Sequence, residues 1–350
     1  MAASGKSSIC IVGAGAIGGL LGVELSRQGH VVTFFARGAH LAAMQEAHAL
    51  KLIKPDGTVV QSSADSVFTG SLANVPVQDV VVLGLKMHQI ASVLPALPGI
   101  VGEHTVILTT QNGIPWWYFQ EYNGPAEFRN RTVEAVDAGG ALKTGIDSGK
   151  IIATVVYPAA HISRPGEVVH VEGVRFPVGE PSGATTERVT RVSGMLVAAG
   201  FKAPVLADVR GELWLKLWGT VAVNPLSALT HATLDELCTV DYSRAVVMSV
   251  MREVEAVAAR LGSTMRVPIE RRVDGAARVG RHRTSMLQDC EAGREMEVQT
   301  IMGAVVELAE LCQVDIPCIR TVYGTVRMLA HVMRTQRVRI CPIALDAAGK

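Results

Sequence analysis

A glycine pattern near the start of the chain has the spacing of a dinucleotide-binding turn. The segment 13–18, GAGAIG, fits G-x-G-x-x-G and lies between the apolar run 9–12 and a stretch of helical period. In such a turn the first glycine makes the bend, the second lets a pyrophosphate approach the backbone, and the third lets the helix pack on the strand. The alternative is that the glycines serve only the packing of the turn. We expect five residues to contact a dinucleotide here: Gly13, Gly15, Ala16, Ile17 and Gly18.

The residue after the second apolar run indicates which dinucleotide binds. An NAD site carries an acidic residue at the end of this strand. Here the run 31–36 is followed by Arg37, and the next acid is Glu46. A guanidinium pairs with a phosphate through its planar fork. We therefore predict NADP(H) as the cofactor, with Arg37 at its 2'-phosphate; a solvated surface arginine is the alternative.

Two further polar residues follow strand-like runs. Lys86 comes directly after the run 80–85, and Asn112 comes shortly after the run 105–110. Ligands of open α/β sheets bind at the carboxyl ends of the strands, so both residues are candidate contacts. Each of them alone would be no more than an exposed polar residue at a strand end.

A helix-like segment in the second half carries a narrow polar stripe. Lys216, Thr220 and Asn224 are spaced i, i+4 and i+8 in the mainly apolar stretch 211–228, so they lie on one face. Burial would lower the pKa of Lys216 towards neutrality, which suits this residue to give a proton to a carbonyl oxygen. The alternative is a lysine with a buried stem whose ammonium group reaches solvent.

The order of strand-like and helix-like segments predicts the scaffold for these residues. The runs 9–12, 31–36, 80–85 and 105–110 are short and mostly apolar, as in a parallel sheet that is covered on both faces. Residues 131–179 change to longer strand-like runs separated by Gly and Pro, which we expect to add antiparallel strands.

After residue 201 the strand patterns nearly vanish and helical period recurs. We therefore predict the α/β fold class with two domains. The first, residues 1–205, is a dinucleotide-binding domain with a Rossmann-like, doubly wound sheet and added antiparallel strands. The second, residues 206–340, is an all-α substrate and catalytic domain.

The composition excludes several kinds of protein. The 350 residues carry 33 Lys+Arg and 32 Asp+Glu, so with a net charge of +1 we expect no nucleic-acid or membrane partner. The apolar stretch 9–23 is too short for a membrane-spanning helix and lacks the features of a signal peptide. The six cysteines are scattered and no cluster has metal-ligand spacing, so we predict reduced thiols, no metal and a cytoplasmic protein. The sequence leaves open whether the chain forms a homodimer.

Taken together, these motifs resemble the ketopantoate reductase (2-dehydropantoate 2-reductase) family over about residues 8–330. The matching motifs are Gly13-x-Gly15-x-x-Gly18, Arg37, Leu85-Lys86, Asn112-Gly113, Glu212-Leu213-Trp214-x-Lys216-Leu217, Asn224-Pro225-Leu226 and Ser285-Met286-Leu287-Gln288-Asp289 followed by Glu297. The resemblance implies an NADP-dependent oxidoreductase that reduces the small 2-keto acid ketopantoate to pantoate in pantothenate biosynthesis.

The resemblance also implies roles for residues of the second half. Lys216 would be the general acid that protonates the oxygen as hydride reaches C2 of the 2-keto acid. Glu297 would hydrogen-bond the substrate hydroxyl and contact the cofactor, and Asn224 and Ser285 would bind the substrate. Without the resemblance, Ser285 would be interpreted as a helix N-cap and Glu297 as a surface acid.

In the first half, the resemblance places Asn112 against the nicotinamide end and the substrate, where it would orient Lys216. Lys86 would lie beside the cofactor, and Arg37 matches the family's residue for the 2'-phosphate.

One position departs from the family pattern. A second Asn is expected one turn after the catalytic lysine, where this chain has Thr220. A threonine hydroxyl cannot present an amide carbonyl and NH2 together, and a lost buried partner costs about 1–3 kcal/mol. Thr220 therefore favours a second hypothesis, a reductase of another branched 2-keto acid. A regulator that binds NADPH without turnover is a third.

Overall fold

The computed structural model describes residues 5–343, which divide into two units. The first unit runs to Thr132 and resumes over Asp137–Arg210. The second consists of Val133–Val136 and the chain from Gly211 onwards. The assignment of a dinucleotide-binding domain to 1–205 and a catalytic domain to 206–340 stays a prediction.

The first unit is built on a twisted sheet in the order β5-β2-β1-β6-β7-β8-β11. Every pairing in it is parallel except that of β11 with β8. The order reverses between β1 and β6, as in doubly wound nucleotide-binding folds, which confirms the predicted fold class. The strands of this unit are β1 (Ser8–Val12), β2 (Val31–Phe35), β3 (Lys51–Ile53), β4 (Val59–Gln61), β5 (Val67–Thr69), β6 (Gln78–Leu83), β7 (Val101–Thr109), β8 (Ile151–Thr154), β9 (Ala159–Arg164), β10 (Glu167–Glu172) and β11 (Val178–Gly179).

The central strands are buried along most of their length because helices cover the sheet. The last four residues of both β1 and β2 are buried, as are all four of β8. Because these strands are buried on both faces, their sequences are continuous apolar runs and do not alternate between apolar and polar residues. The α-helices of this unit are α1 (Ala16–Arg27), α2 (Gly38–Ala47), α3 (Met87–Ile90), which continues as a 3-10 helix (Ala91–Gly99), α4 (Ala141–Gly145) and α5 (Glu187–Ala198).

A second sheet, in the order β4-β3-β10-β9, was not predicted from the sequence. We expected the strand-like runs within 131–179 to extend the main sheet with antiparallel strands. Instead β8 joins the main sheet in parallel, β9 and β10 form an antiparallel hairpin in the second sheet, and β11 alone adds an antiparallel strand to the main sheet. The hairpin pairs with β3, which lies far away in the sequence, so no local pattern indicates this partner.

Residues 132–142 are also not a strand, contrary to the prediction. Gly139 and Gly140 both have φ values of +71°, which interrupts any extended run. The carboxylate of Asp137 accepts hydrogen bonds from the backbone N–H groups of Leu142 and Lys143, at 2.8 and 2.9 Å. These bonds satisfy N–H groups at the start of α4 and turn the chain into a helix.

All of the regular secondary structure in the described residues of the second unit is helical, as predicted. None of the helices within residues 5–343 is long and apolar enough to cross a membrane. Helix α6 starts at the last two residues of the first unit and continues into the second. The helices are α6 (Val209–Thr230), α7 (Leu234–Thr239), α8 (Asp241–Arg260), α9 (Ile269–Ala277), α10 (Ser285–Ala292), a π-helical turn (Gln299–Gly303) that leads into α11 (Ala304–Cys312), and α12 (Pro317–Gln336).

Candidate active site

The glycine turn lies between β1 and α1 and has the conformation that a dinucleotide-binding turn requires. Gly13 has a φ of +104°, which an L side chain rarely adopts. Its N–H and that of Ala14 donate to the carbonyl oxygen of Phe35, at 3.1 and 2.9 Å. The turn is therefore fixed to the end of the neighbouring strand β2.

The other two glycines of the motif also have clear roles. A Cβ on Gly18 would lie 2.1 Å from the carbonyl oxygen of Gly13, so only glycine lets α1 pack this closely on the turn. A Cβ on Gly15 would meet nothing within 4 Å, so the backbone is open to a ligand there. Gly15 is the N-cap of α1 with no side-chain cap, and the first turn holds no acid. Because Ala16 and Ile17 are partly exposed in that turn, the site fits a dinucleotide pyrophosphate.

Arg37 lies at the carboxyl end of β2, on the strand next to the glycine turn. It is exposed and serves as the N-cap residue of α2, and its guanidinium lies over the ring of Phe35, 5.5 Å from the centroid. Within residues 5–343 it forms no ion pair with an acid. Its charge is therefore available to an anionic ligand at this edge of the sheet.

The ends of β6 and β7 complete this edge. A Cβ on Gly84 would lie 2.5 Å from the carbonyl oxygen of Gly13, so the segment after β6 packs directly on the glycine turn. Lys86 follows as the N-cap of α3, and Asn112 follows β7; both are partly exposed. The parallel sheet thus brings every predicted cofactor residue of the first unit to one edge.

Gln111 was missed in the sequence, although it precedes Asn112. Its side-chain NH2 donates to the carbonyl oxygens of Leu83 and Leu85, at 2.6 and 2.9 Å. The hydroxyl of Thr110 donates to the Leu83 oxygen as well, at 2.7 Å. These bonds fix the segment on which Gly13 rests. Only the pairing of β6 with β7 brings the partners together, so sequence spacing could not indicate them.

In the second unit, the predicted polar stripe is present on α6. Lys216, Thr220 and Asn224 are partly exposed, whereas neighbouring residues such as Trp218 and Val221 are completely buried. The hydroxyl of Thr220 donates to the carbonyl oxygen of Lys216, at 3.1 Å. Its only proton is therefore engaged within the helix.

Burial lowers the pKa of Lys216 to about 8, against the negative charge of Glu297, which raises it. Glu297 is partly exposed and directly precedes the helical segment that continues as the π-helical turn and α11. The ammonium group of Lys216 is thus a stronger acid than an ordinary lysine while remaining mostly protonated at neutral pH. This is the property that a general acid needs.

Asn224 and Ser285 come together although 60 residues separate them. The side-chain NH2 of Asn224 donates to the hydroxyl oxygen of Ser285, at 3.4 Å. The alternative role for Ser285, the N-cap of its helix, is taken by Thr284, whose hydroxyl accepts a hydrogen bond from the Leu287 N–H at 3.3 Å. Ser285 is exposed at the first residue of α10, so its hydroxyl remains accessible to a ligand.

His40 is a second residue that sequence reasoning missed. One ring nitrogen, Nε2, lies 2.9 Å from the carbonyl oxygen of Ala14 in the glycine turn, and the other, Nδ1, lies 3.0 Å from the backbone nitrogen of Gly166. His40 ends the segment RGAH, which begins at Arg37, but nothing in the sequence indicates that its ring contacts Gly166.

Comparison with known proteins gives matches over both halves of the chain. Residues 9–183 match the family model "Ketopantoate reductase PanE/ApbA", and residues 208–330 match "Ketopantoate reductase PanE/ApbA C terminal". A 2-dehydropantoate 2-reductase of Mesorhizobium japonicum is 44% identical over 323 residues, which are 92% of this chain and 97% of the relative. A second, from Nostoc sp., is 28% identical over 94% of this chain and 97% of its own length.

Solved structures give the same result. A crystal structure from Ralstonia solanacearum MolK2, described as a candidate ketopantoate reductase, superposes with a TM-score of 0.88 at 32% identity and covers 94% of this chain and 99% of that one. These matches confirm the resemblance seen in the motifs and the predicted class, an oxidoreductase that uses NADP(H). The chain belongs to the ketopantoate reductase family.

Proposed function

We propose that the chain catalyses the NADPH-dependent reduction of 2-dehydropantoate to pantoate, a step of pantothenate biosynthesis. The observation that carries this proposal is the ammonium group of Lys216, whose pKa burial lowers to about 8. The names of the relatives, 2-dehydropantoate 2-reductase, supply the substrate. A protein that only sensed NADPH would have no need of a tuned proton donor on a mainly apolar helix.

We assign the steps to residues as follows. NADPH, when bound, would supply the hydride that reaches C2 of the keto acid. Lys216 gives its proton to the oxygen on C2, and the neighbouring charge of Glu297 keeps it protonated until then. Glu297 also accepts a hydrogen bond from the substrate hydroxyl, and Asn224 and Ser285 bind the carboxylate and hydroxyl groups of the substrate.

In the first unit we assign binding roles. Gly13, Gly15 and Gly18 shape the turn, the N–H groups of Ala16 and Ile17 face the pyrophosphate, and Arg37 pairs with the 2'-phosphate. Lys86 lies beside the cofactor, and Asn112 contacts the nicotinamide end. The open backbone at Gly15 and the exposed guanidinium of Arg37 support this arrangement.

The test is steady-state kinetics on wild type and Lys216→Ala, followed by NADPH absorbance. We expect the variant to lose about 100-fold or more in turnover, because protonation at the transition state is lost. The NADPH dissociation constant should stay within about twofold of that of the wild type, because none of the proposed phosphate contacts is changed. Unchanged turnover would remove Lys216 from the reaction.

A second candidate, the reduction of another branched 2-keto acid, is favoured by Thr220. Its hydroxyl proton is engaged with the Lys216 carbonyl oxygen, so it offers a substrate only lone pairs. A panel of branched and linear 2-keto acids, ranked by kcat/KM, separates the two. An absence of NADPH oxidation with every acid would instead support the sensing regulator. The cytoplasmic location stays a prediction, and the question of a homodimer stays open.

A further inference from the structure

We propose that His40 is a positioning residue for the dinucleotide: its imidazole holds the Ala14–Gly15 peptide so that the Gly15 N–H is directed at the pyrophosphate. The inference rests on the proposed function only in requiring that a dinucleotide binds at the glycine turn. It concerns a residue outside the motif, in the first turn of α2.

The hydrogen bonds of the ring define its chemical form. The Gly166 N–H can only donate, so Nδ1, at 3.0 Å from it, is an acceptor without a proton. The ring proton then lies on Nε2, which donates to the carbonyl oxygen of Ala14 at 2.9 Å. Burial lowers the pKa of His40, and this outweighs the bond to Ala14, which raises it. The neutral ring is thus the favoured form and the only one that can make both bonds.

The hydrogen bond from His40 to the Ala14 carbonyl group also fixes the direction of the Gly15 N–H group. The Ala14 C=O and the Gly15 N–H belong to one peptide plane and point to opposite sides of a trans peptide. Gly15 has no side chain to resist rotation of that plane, and a Cβ there would meet nothing within 4 Å. His40 therefore supplies the constraint that the glycine itself cannot, and the N–H is directed away from the ring.

His40 in turn is held by the second sheet. Gly166 lies in the turn between β9 and β10 with a φ of +78°, and its carbonyl oxygen accepts a hydrogen bond from the Lys51 N–H, at 3.1 Å. A Cβ on Gly166 would lie 3.1 Å from the Cβ of Ala43, so this turn rests directly on α2. The Gly166 N–H, which donates to Nδ1 of His40, therefore belongs to a turn that is held by both β3 and α2.

The same sheet contacts α1 directly. A Cβ on Gly19 would lie 2.9 Å from a methyl carbon of Val168 on β10 and 3.1 Å from one of Leu50. The small sheet therefore supports both the helix and the turn of the phosphate site. We therefore assign a role in the phosphate site to the second sheet, although it is not part of the dinucleotide-binding sheet.

Direct binding measurements on the full-length protein test the proposal, with NADPH and NADH titrated separately by fluorescence. His40→Gln places an amide NH2 near the Nε2 position and should keep both dissociation constants within about twofold of those of the wild type. His40→Asn and His40→Leu lose the donor to Ala14 and should weaken both dinucleotides by about 5- to 10-fold, the effect of one hydrogen bond. His104→Asn, at an exposed histidine on β7, is the matched control.

Two further readouts separate positioning from general damage. Because the pyrophosphate is common to both dinucleotides, the His40 variants should keep the wild-type preference for NADPH over NADH, whereas Arg37→Ala should lose it. The value of kcat at saturating NADPH should stay within about twofold, while KM for NADPH rises. Equal binding by wild type and His40→Asn, or binding by His40→Gln as weak as that of His40→Asn, overturns the proposal. A wild type that binds neither dinucleotide overturns the proposed function as well.

Discussion

Lys216 is the residue whose protonation state the proposed reaction depends on. Its pKa is about 8, because burial disfavours the charged form more than Glu297 stabilises it. Reduction needs the ammonium form, so kcat should be highest at neutral pH and fall as the pH rises through about 8. Glu297→Gln removes the stabilising charge, which lowers the pKa of Lys216 further and moves this fall to lower pH.

A pH profile of kcat on wild type and Glu297→Gln measures this shift. The amide keeps the size and much of the hydrogen-bonding capacity of the carboxylate, so a displaced inflection reports the lost charge. Glu295→Gln, at an exposed acid two residues away, is the control and should leave the inflection in place. Coincident profiles for all three proteins would contradict the electrostatic role of Glu297.

Thr220 is the residue on which substrate preference is expected to depend. Thr220→Asn restores the amide of the family pattern and frees this position from the bond to the Lys216 carbonyl oxygen. We expect the ratio of kcat/KM values for ketopantoate and for the best competing keto acid to change by about 10-fold or more, since gaining or losing a polar partner in a binding site is worth about 1–3 kcal/mol.

The same helix offers a matched control for this substitution. The hydroxyl of Thr230 donates to the carbonyl oxygen of Leu226 in the same way, but the residue is exposed at the end of α6. Thr230→Asn should therefore leave the specificity ratio unchanged. If Thr220→Asn also leaves it unchanged, position 220 does not select the substrate.

At the scale of elements, the sequence predicted those strands and helices that a local pattern of apolar and polar residues defines. The glycine turn, β1, β2 and the stripe on α6 could be identified because each is defined within about 20 residues. The second sheet could not, because β10 pairs with β3 across more than 100 residues. His40 and Gln111 were missed for the same reason, since their partners are brought close by the fold and not by the sequence.

The packing of α1 on its strand makes a prediction about two helical glycines. Gly18→Ala would place a Cβ 2.1 Å from the Gly13 carbonyl oxygen, so α1 must move away from β1 and the turn must open. We expect a loss of about 2–4 kcal/mol in the free energy of unfolding, in the range of severe overpacking, and a loss of NADPH binding.

Gly194 provides the opposite case on α5. It is exposed, and a Cβ there would meet nothing within 4 Å, so Gly194→Ala should stabilise the protein by about 0.5–1 kcal/mol through helix propensity. Denaturant unfolding of the two variants, with NADPH titrations of each, makes the comparison. A Gly18→Ala variant as stable as Gly194→Ala would show that α1 does not depend on this close approach.

At the scale of the whole molecule, binding and stability are linked. The cofactor residues proposed for the first unit come from four strand ends, at 13–18, 37, 86 and 112, so the phosphate site exists only when the sheet is folded. A ligand that binds only the folded state stabilises it by RT ln(1 + [L]/Kd), about 2.7 kcal/mol at 100 times Kd. NADPH should therefore raise the unfolding temperature measured by calorimetry.

The size of that rise tests the role of Arg37 without any enzyme assay. If its guanidinium binds the 2'-phosphate, NADPH should stabilise wild type more than NADH does at the same concentration. In Arg37→Gln the two dinucleotides should stabilise equally, because the charge that distinguishes them is gone. The melting temperature without ligand should change little, since Arg37 is exposed and its contact with the Phe35 ring is worth about 0.5–1 kcal/mol at such a site. Equal stabilisation of wild type by both dinucleotides would show that Arg37 does not select the phosphorylated cofactor, and a preference for NADPH that persisted in Arg37→Gln would have to come from another residue.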